Sequence, residues 1–346
     1  MYSVDKSNFK RFLIFFPSQI RDSEQIYKKA KIEHDFSRIK NIIYLGMGGS
    51  AIAGDILYDS LYDQLKVPLQ VIRGYDIPSY CSKSSLVIVS SYSGNTEEVL
   101  HAAQRAVKLG GKPVVITSGG ELKKMAEEKK WPTILIPGGY PPRQALGYLL
   151  FPLVLLLNPM LRNPIASDTI SDIAYVANSI VQRNDEISTE SKSLSKELAI
   201  EIHGKIPIIY GGAPYMNAVA RRWCNQFQEN AKSLAFCNVL PEMNHNEIVG
   251  WEMDHPAMKN FIVLFLEDPD APAQLKTRIR LTKNIISDRG IMVLELYAEG
   301  SNILQKNVSL LSMADWTSYY LALLNEKNPE SILNIDYLKS ELKKSS

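Results

Sequence analysis

The sequence is poor in cysteine, and its few cysteines form no recognisable pattern. Three cysteines occur among 346 residues, at the distant positions Cys81, Cys224 and Cys237. An odd, widely spaced set matches neither the disulfide framework of a small secreted domain nor the spacing of a zinc site. We therefore expect a reducing compartment, a cytoplasmic location and no bound metal.

The sequence also lacks a basic tract and a long apolar run. The 39 Lys and Arg residues nearly balance the 37 Asp and Glu residues, for a net charge of +2. No basic segment is interleaved with aromatic residues, so nucleic acid is not an expected partner. The most apolar stretch, 145–157, has about 13 residues against the roughly 20 that span a bilayer. We predict a buried helix there, no signal peptide at the N-terminus and no membrane partner.

The pattern that is present is an alternation of strand-like and helical segments. Apolar runs at 41–45, 69–73, 86–89, 113–116 and 133–136 alternate with helical stretches, which is typical of a parallel sheet. Runs at 206–213, 261–266 and 291–295 repeat this order in the second half. The fold class is therefore α/β, with two doubly wound parallel-sheet lobes related by internal duplication. The predicted domains are 1–157 and 193–346, joined by a helical connection at 158–192.

The chain is organised around a turn rich in hydroxyl groups that follows the run 86–89. Residues 90–98 read Ser-Ser-Tyr-Ser-Gly-Asn-Thr-Glu-Glu and lead into a helix. The hydroxyls of Ser91, Ser93 and Thr96, with the amides and positive dipole end of a helix N-terminus, can surround a phosphate without a lysine. The alternative is an ordinary helix capped by serine or threonine.

A glycine-rich turn follows the first strand and opens a second helix. Gly48 and Gly49 allow the backbone to approach a ligand closely, and Ser50 lies where a helix cap belongs. A dinucleotide site is the rival interpretation, because the spacing fits the G-x-G-x-x-A variant. However, the next strand ends in Arg73, near the position where an acidic ribose ligand is expected. We therefore predict a second ligand-binding loop and no nucleotide.

Three further residues have side chains suited to catalysis. Two prolines stiffen the loop that brings Arg143 to the start of the apolar helix, where a cation can meet an anion or a developing oxyanion. The alternative for Arg143 is a surface position. Glu229 ends a helix and is a candidate general base, or else the partner of Lys232 in an ion pair. His245, flanked by two asparagines in a predicted loop, is a candidate proton donor.

Together these motifs resemble the bifunctional phosphoglucose/phosphomannose isomerases of the sugar isomerase (SIS) superfamily. The resemblance covers about residues 40–330 and rests on segments 46–50, 91–96, 142–143, 229–232 and 240–246. It implies a fold of two SIS lobes, which agrees with the internal repeat. It also implies interconversion of fructose 6-phosphate with glucose 6-phosphate and mannose 6-phosphate in glycolysis and gluconeogenesis, with no metal or nucleotide cofactor.

The resemblance assigns a role to each candidate residue. It implies Glu229 as the base, His245 as the ring-opening group and Arg143 as the group that stabilises a cis-enediolate. The residues implied to bind the sugar oxygens and the phosphate are Gly48, Gly49, Ser50, Ser91, Ser93 and Thr96. It further implies a homodimer in which His245 reaches the site of the neighbouring subunit. One departure concerns a ring-opening lysine of some relatives, which aligns with Tyr320.

Two other functions remain open at this point. SIS lobes also serve as phosphosugar sensors, although no helix-turn-helix pattern or basic segment supports that function here. The second alternative is an enzyme of the same superfamily that acts on an aminosugar phosphate or a heptose phosphate.

Overall fold

The computed structural model describes residues 4–33, 35–166, 168–185, 193–212 and 215–345. The chain divides into two compact units that differ from consecutive halves. The first lobe comprises Ile14–Ser179 and Glu299–Ser309. The second lobe comprises Met1–Leu13, Ile180–Ala298 and Leu310–Ser346. Residues 167, 186–192 and 213, which belong to the predicted connection and the predicted repeat, lie outside the described residues.

The elements of the first part of the chain alternate as the sequence predicts. In chain order up to residue 184 they are α1 (Lys10–Ala30), β1 (Asn41–Leu45), α2 (Gly48–Leu61), β2 (Leu69–Ile72), β3 (Ser85–Ser90), α3 (Glu97–Lys108), β4 (Lys112–Thr117), α4 (Gly120–Glu128), β5 (Thr133–Leu135), α5 (Leu146–Leu157) and α6 (Thr169–Asn184).

The five strands of the first lobe form one parallel sheet in the order β2-β1-β3-β4-β5. Leu45 at the end of β1 lies beside Ile72 of β2 and Val89 of β3, so the carboxyl ends of these strands are level. All six residues of β3 are buried, as expected of a central strand covered on both faces. The predicted apolar helix is α5, and it is buried. Among the described residues, no helix is long and apolar enough to cross a membrane.

The second lobe repeats this arrangement with one strand fewer. Its elements are α7 (Leu194–Ile202), β6 (Ile206–Gly212), α8 (Asn217–Glu229), β7 (Phe236–Leu240), β8 (Phe261–Glu267), α9 (Ala273–Ser287), β9 (Met292–Tyr297), α10 (Ile303–Leu324) and α11 (Leu333–Ser345). The strands are parallel in the order β7-β6-β8-β9. This order corresponds strand for strand to β2-β1-β3-β4, so the predicted pair of parallel-sheet lobes is confirmed.

Sequence reasoning missed β7, the edge strand of the second lobe. The strand has five residues, and four of them are exposed or half-buried. A short strand with a weakly apolar face lacks the continuous apolar run or clean alternation that identifies a strand in sequence. Its partner β6 supplies the pairing that makes it a strand, from Ile208 beside Phe236 to Gly212 beside Leu240.

The hydroxyl-rich turn after β3 depends on Gly94, which has a positive φ of 69°. A Cβ atom at this position would lie 1.8 Å from the backbone oxygen of Gly119. We expect Gly94→Ala to lower the free energy of unfolding by about 2 to 5 kcal/mol, since it adds a left-handed backbone penalty to a steric clash. Urea unfolding measures this loss.

The matched control is Gly139→Ala in the same lobe. Gly139 also has a positive φ, 87°, but nothing lies within 4 Å of its would-be Cβ. This variant should lose only the backbone term, about 1 to 2 kcal/mol. Equal losses in the two variants would show that the contact with Gly119 is unimportant.

Candidate active site

The two ligand-binding loops predicted from the sequence lie side by side in the first lobe. The glycine turn follows β1 and the hydroxyl-rich turn follows β3, and these strands are neighbours in the sheet. The connection from β1 leads outward to β2, while the connection from β3 leads to β4 on the other side. In open α/β sheets such a reversal leaves a crevice outside the carboxyl ends of the strands, where ligands bind.

Side-chain hydroxyls fasten the two loops to each other. The Tyr92 backbone N–H donates to Ser50 Oγ at 3.1 Å, which joins the loop after β3 to the first turn of α2. Within the second loop, Ser91 Oγ accepts from the Gly94 N–H at 3.1 Å and lies 3.0 Å from Thr96 Oγ1. Ser50 and Ser91 are buried. The predicted phosphate ligands are therefore brought together, and two of them also hold the loops in shape.

The remaining predicted ligands of this lobe are open to solvent. Ser93 is exposed, and its Oγ accepts from the Asn95 N–H at 3.3 Å. Gly48 is also exposed, and nothing lies within 4 Å of its would-be Cβ. A ligand in the crevice therefore has access to the Ser93 hydroxyl and to the backbone at Gly48.

Two helix N-termini add positive potential to this crevice. Helix α2 begins at Gly48 after Met47, and α3 begins at Glu97 after Thr96; neither preceding residue makes a side-chain cap hydrogen bond. The first amides of a helix have no intrahelical acceptor, and the helix dipole favours negative charge beside them. Amides and hydroxyls at one crevice are the elements of a phosphate site without a lysine.

Arg143 is placed next to the glycine turn by the loop that follows β5. The would-be Cβ of Gly49 lies 3.0 Å from the backbone carbon of Pro142 and 3.1 Å from the backbone nitrogen of Arg143. A side chain larger than that of glycine would crowd this approach. Arg143 is 3% exposed, so the alternative of a surface arginine does not hold.

Tyr92 was not singled out from the sequence, yet it connects three loops of the site. Its hydroxyl donates to the Pro137 carbonyl oxygen at 3.1 Å and accepts from the Tyr140 N–H at 2.9 Å. Its own carbonyl oxygen accepts from Ser118 Oγ. Burial raises the pKa of the Tyr92 phenol, so the hydroxyl keeps its proton and remains a donor. An aromatic residue inside a run of serines was the available sequence signal.

The two acid-base candidates, Glu229 and His245, lie near opposite ends of strand β7 in the second lobe. Strand β6 runs towards its carboxyl end at Gly212, and α8 returns beside it to end at Glu229, near the amino end of β7. The side chain of Gln228 donates to the carbonyl oxygen of Ala235, the residue before β7, which fixes this placement. His245 follows the carboxyl end of β7 and is exposed. The five residues of β7 therefore separate Glu229, near the amino end of this strand, from His245, after its carboxyl end.

The alternative role of Glu229, an ion pair with Lys232, can be compared with the contacts of that lysine. The Lys232 ammonium donates to the backbone carbonyl oxygen of Glu229 at 2.8 Å. A hydrogen bond to the backbone holds the end of the helix and makes no use of the carboxylate. Glu229 itself is half-buried.

Tyr320 occupies a place unsuited to ring opening. Its side chain is fully buried, and its hydroxyl donates to the backbone oxygen of Asn184. The ring packs against Trp316 and Tyr319, with centroids 5.9 and 5.5 Å away. Tyr320 is thus a core residue of the second lobe, while its alignment with the ring-opening lysine of some relatives stays a prediction.

The cysteines are free thiols. A hydrogen bond from the Cys224 thiol lowers the pKa of Cys237 and raises that of Cys224.

Within the described part of the chain, no group of three or more His, Cys, Asp or Glu side chains is arranged to hold a metal ion.

Comparison with known proteins identifies the family. The bifunctional phosphoglucose/phosphomannose isomerase of Caldicellulosiruptor bescii is 38% identical over 327 residues, which cover 94% of this chain and 96% of that protein. The chain belongs to this isomerase family. Residues 191–342 match the bacterial phospho-glucose isomerase C-terminal SIS domain, and residues 35–130 match the SIS domain.

Two further similarities extend this result. The D-glucosamine-6-phosphate 4-epimerase of Sulfolobus acidocaldarius is 38% identical over 229 residues, 65% of this chain and 69% of that protein. Among solved structures, tagatose-6-phosphate ketose/aldose isomerase from Escherichia coli aligns with a TM-score of 0.71 at 16% identity, covering 93% of this chain and 94% of that chain. The second likeness shows the shared fold of two SIS lobes.

The hydrogen bond between Ser50 and Tyr92 leads to a prediction for the isomerase. In Ser50→Ala the buried Tyr92 N–H loses its acceptor, so the free energy of unfolding should fall by about 1 to 3 kcal/mol. Phosphate should also bind more weakly, because the two loops are no longer fastened. Urea unfolding and calorimetric titration with inorganic phosphate measure these effects.

Ser93→Ala is the matched control for that variant. Because Ser93 is exposed, its replacement should change stability by no more than about 0.5 kcal/mol. Loss of one hydrogen bond to a charged ligand should nevertheless weaken phosphate binding about tenfold or more. Unchanged phosphate affinity in Ser93→Ala would remove this residue from the site.

Proposed function

We propose that this chain is an aldose-ketose isomerase that interconverts fructose 6-phosphate with glucose 6-phosphate and mannose 6-phosphate. The observation that carries the proposal is the 38% identity to a bifunctional phosphoglucose/phosphomannose isomerase over 94% of the chain. The crevice at β1 and β3 supports it independently, because its hydroxyls and helix N-termini suit the phosphate common to all three sugars. We place the activity in the cytoplasm, in glycolysis and gluconeogenesis.

The chemistry explains how one site serves both aldoses. Glucose 6-phosphate and mannose 6-phosphate differ only in configuration at C2, so removal of the C2 proton gives the same cis-enediolate from either sugar. In our proposal the Glu229 carboxylate takes the proton from C2 and returns it to C1. Reprotonation at C2 on one face or the other then selects the aldose. Arg143 stabilises the negative charge of the enediolate, and Gly48 and Gly49 lie beside the sugar oxygens.

We further propose a homodimer in which His245 acts on the substrate of the neighbouring subunit and assists opening of the sugar ring. Two observations support this arrangement. His245 is exposed, and the length of β7 lies between it and Glu229 of the same chain. Within one chain, His245 lies at the other end of β7 from Glu229. A second copy of the chain can therefore supply the imidazole.

Glu229→Gln tests the assignment of the base. An enediol mechanism exchanges the migrating hydrogen at least partly with solvent, so wild-type enzyme in heavy water should introduce deuterium at C1 or C2. The glutamine variant should lose both turnover and labelling, because an amide cannot accept the proton. Nuclear magnetic resonance of the product measures the labelling. Retained turnover would return Glu229 to a structural role.

His245→Ala tests the shared site through mixing of subunits. Each variant dimer, Glu229→Gln or His245→Ala, should be nearly inactive, since acid-base assistance is worth about 10² to 10⁴ in rate. In a mixed dimer the intact Glu229 of one chain meets the intact His245 of the other, so one site per dimer is complete. Random reassembly of equal amounts should restore about a quarter of wild-type activity. If His245 serves its own chain, every site keeps one lesion and activity stays near zero.

A second candidate substrate is an aminosugar phosphate. The similarity to a D-glucosamine-6-phosphate 4-epimerase over 65% of the chain favours testing it. Separate incubations with fructose 6-phosphate, glucose 6-phosphate, mannose 6-phosphate and glucosamine 6-phosphate, with product analysis, discriminate the two functions. Epimerisation of glucosamine 6-phosphate without ketose formation would overturn the isomerase proposal.

A further inference from the structure

The helix that carries Glu229 is followed by a lysine in the left-handed conformation. Three residues beyond Glu229, Lys232 has a positive φ of 54°. The residue that follows a helix end in this conformation is most often glycine, because every residue with a Cβ pays a steric penalty. Lys31, Lys130 and Glu326 also follow helix ends with a positive φ, so Lys232 is distinguished by the contacts of its side chain.

The Lys232 ammonium contacts four backbone carbonyl oxygens. Two belong to the end of α8: Glu229 at 2.8 Å and Asn230 at 3.2 Å. Two belong to the segment that follows α10: Asn328 at 2.7 Å and Pro329 at 3.3 Å. The ammonium thus joins the peptide unit of Glu229 to a segment that begins 96 residues after Lys232.

The residue that follows α10 donates a hydrogen bond in the opposite direction, towards the end of α8. The Asn325 side chain donates to the Ala231 carbonyl oxygen at 2.9 Å. A second link lies two turns earlier on α10, where Asn230 Nδ2 donates to Ser318 Oγ at 3.0 Å inside the core. Carbonyl oxygens at helix ends carry partial negative charge, which a cation stabilises.

We propose that Lys232 is the positioning residue for Glu229: its ammonium fixes the last peptide of α8 against the segment after α10, and so sets the place of the carboxylate. This inference rests on the proposed role of Glu229 as the base. Glu229 is half-buried and stands at the last position of its helix, where a chain end frays unless it is held. Proton transfer needs the carboxylate within hydrogen-bond reach of the substrate, and a displacement of about 1 Å costs on the order of 10² in rate.

Lys232→Gly separates positioning from stability. Glycine accepts the positive φ without penalty, so the relieved backbone offsets the lost hydrogen bonds and the melting temperature should change little. Positioning through the ammonium predicts instead that kcat for fructose 6-phosphate falls roughly 10- to 100-fold, while KM changes less than threefold because the phosphate loops are untouched. Lys232→Met, which keeps the stem and the strained φ, should lose kcat to the same extent.

Glu326→Gly is the matched control. Glu326 follows the end of α10 with a positive φ of 55° and contributes nothing to the four contacts of Lys232. Its replacement should relieve the same backbone penalty and leave kcat unchanged. Unchanged kcat in Lys232→Gly, measured beside an inactive Glu229→Gln, overturns the inference while the proposed function stands. Turnover retained by Glu229→Gln instead counts against the proposed role of Glu229 as the base, on which the inference rests.

Lys232→Gly could lower both kcat and the melting temperature. A double-mutant cycle then shows whether Lys232 acts on turnover through Glu229. Glu229→Asp keeps a carboxylate and hence a measurable rate, but shortens its reach. If Lys232 acts through Glu229, the double variant should lose less kcat than the two single losses predict together. The carboxylate of Glu229→Asp is already displaced, so removing the lysine displaces it with less further effect. Additive losses would mean that Lys232 affects turnover by another route and would overturn the inference.

Discussion

The site of the first lobe depends on a close crossing of two backbones. Gly94 and Gly119 approach so closely that a single methyl group at Gly94 would overlap the Gly119 oxygen. The crossing lets the loop after β3 fold back towards α2, where Tyr92 meets Ser50, and lets the Tyr92 hydroxyl reach the loop after β5. These hydrogen bonds hold the loop after β3, the loop after β5 and the first turn of α2 together at the candidate crevice.

The second lobe has the same strand order as the first but different residues at the end of its central strand. Its sheet repeats the topology of the first, but the strand equivalent to β3 ends in Glu267 and Asp268 instead of a row of hydroxyls. Lys283 neutralises this end by pairing with Glu267 and Glu295 at 2.8 and 2.9 Å. The hydroxyl-rich turn of the first lobe has no counterpart at this position, so we propose a phosphate site in the first lobe alone. The groups suited to proton transfer lie elsewhere, at the end of α8 and after β7.

A buried polar network anchors α8 in the core of this lobe. Arg222 pairs with Asp315 of α10 at 3.1 Å, and Gln226 donates to the same carboxylate. Two opposite charges buried together stabilise each other, whereas a lone buried charge is strongly destabilising. Arg222 and Gln226 are as buried as the apolar Trp223 and Phe227 of the same helix. The network and the Lys232 contacts hold the helix along its last two turns.

The sequence by itself determined the local features of this protein. Apolar runs and turn residues gave β1 to its exact bounds, and the hydroxyl-rich and glycine-rich turns pointed to the two loops that we propose as phosphate ligands. These features depend on residues adjacent in the chain. Only the tertiary structure decided that Tyr320 is core, that Glu229 and His245 lie at opposite ends of strand β7, and that Lys232 contacts a segment 96 residues away in the chain. Contacts between distant segments arise from packing, which no local pattern encodes.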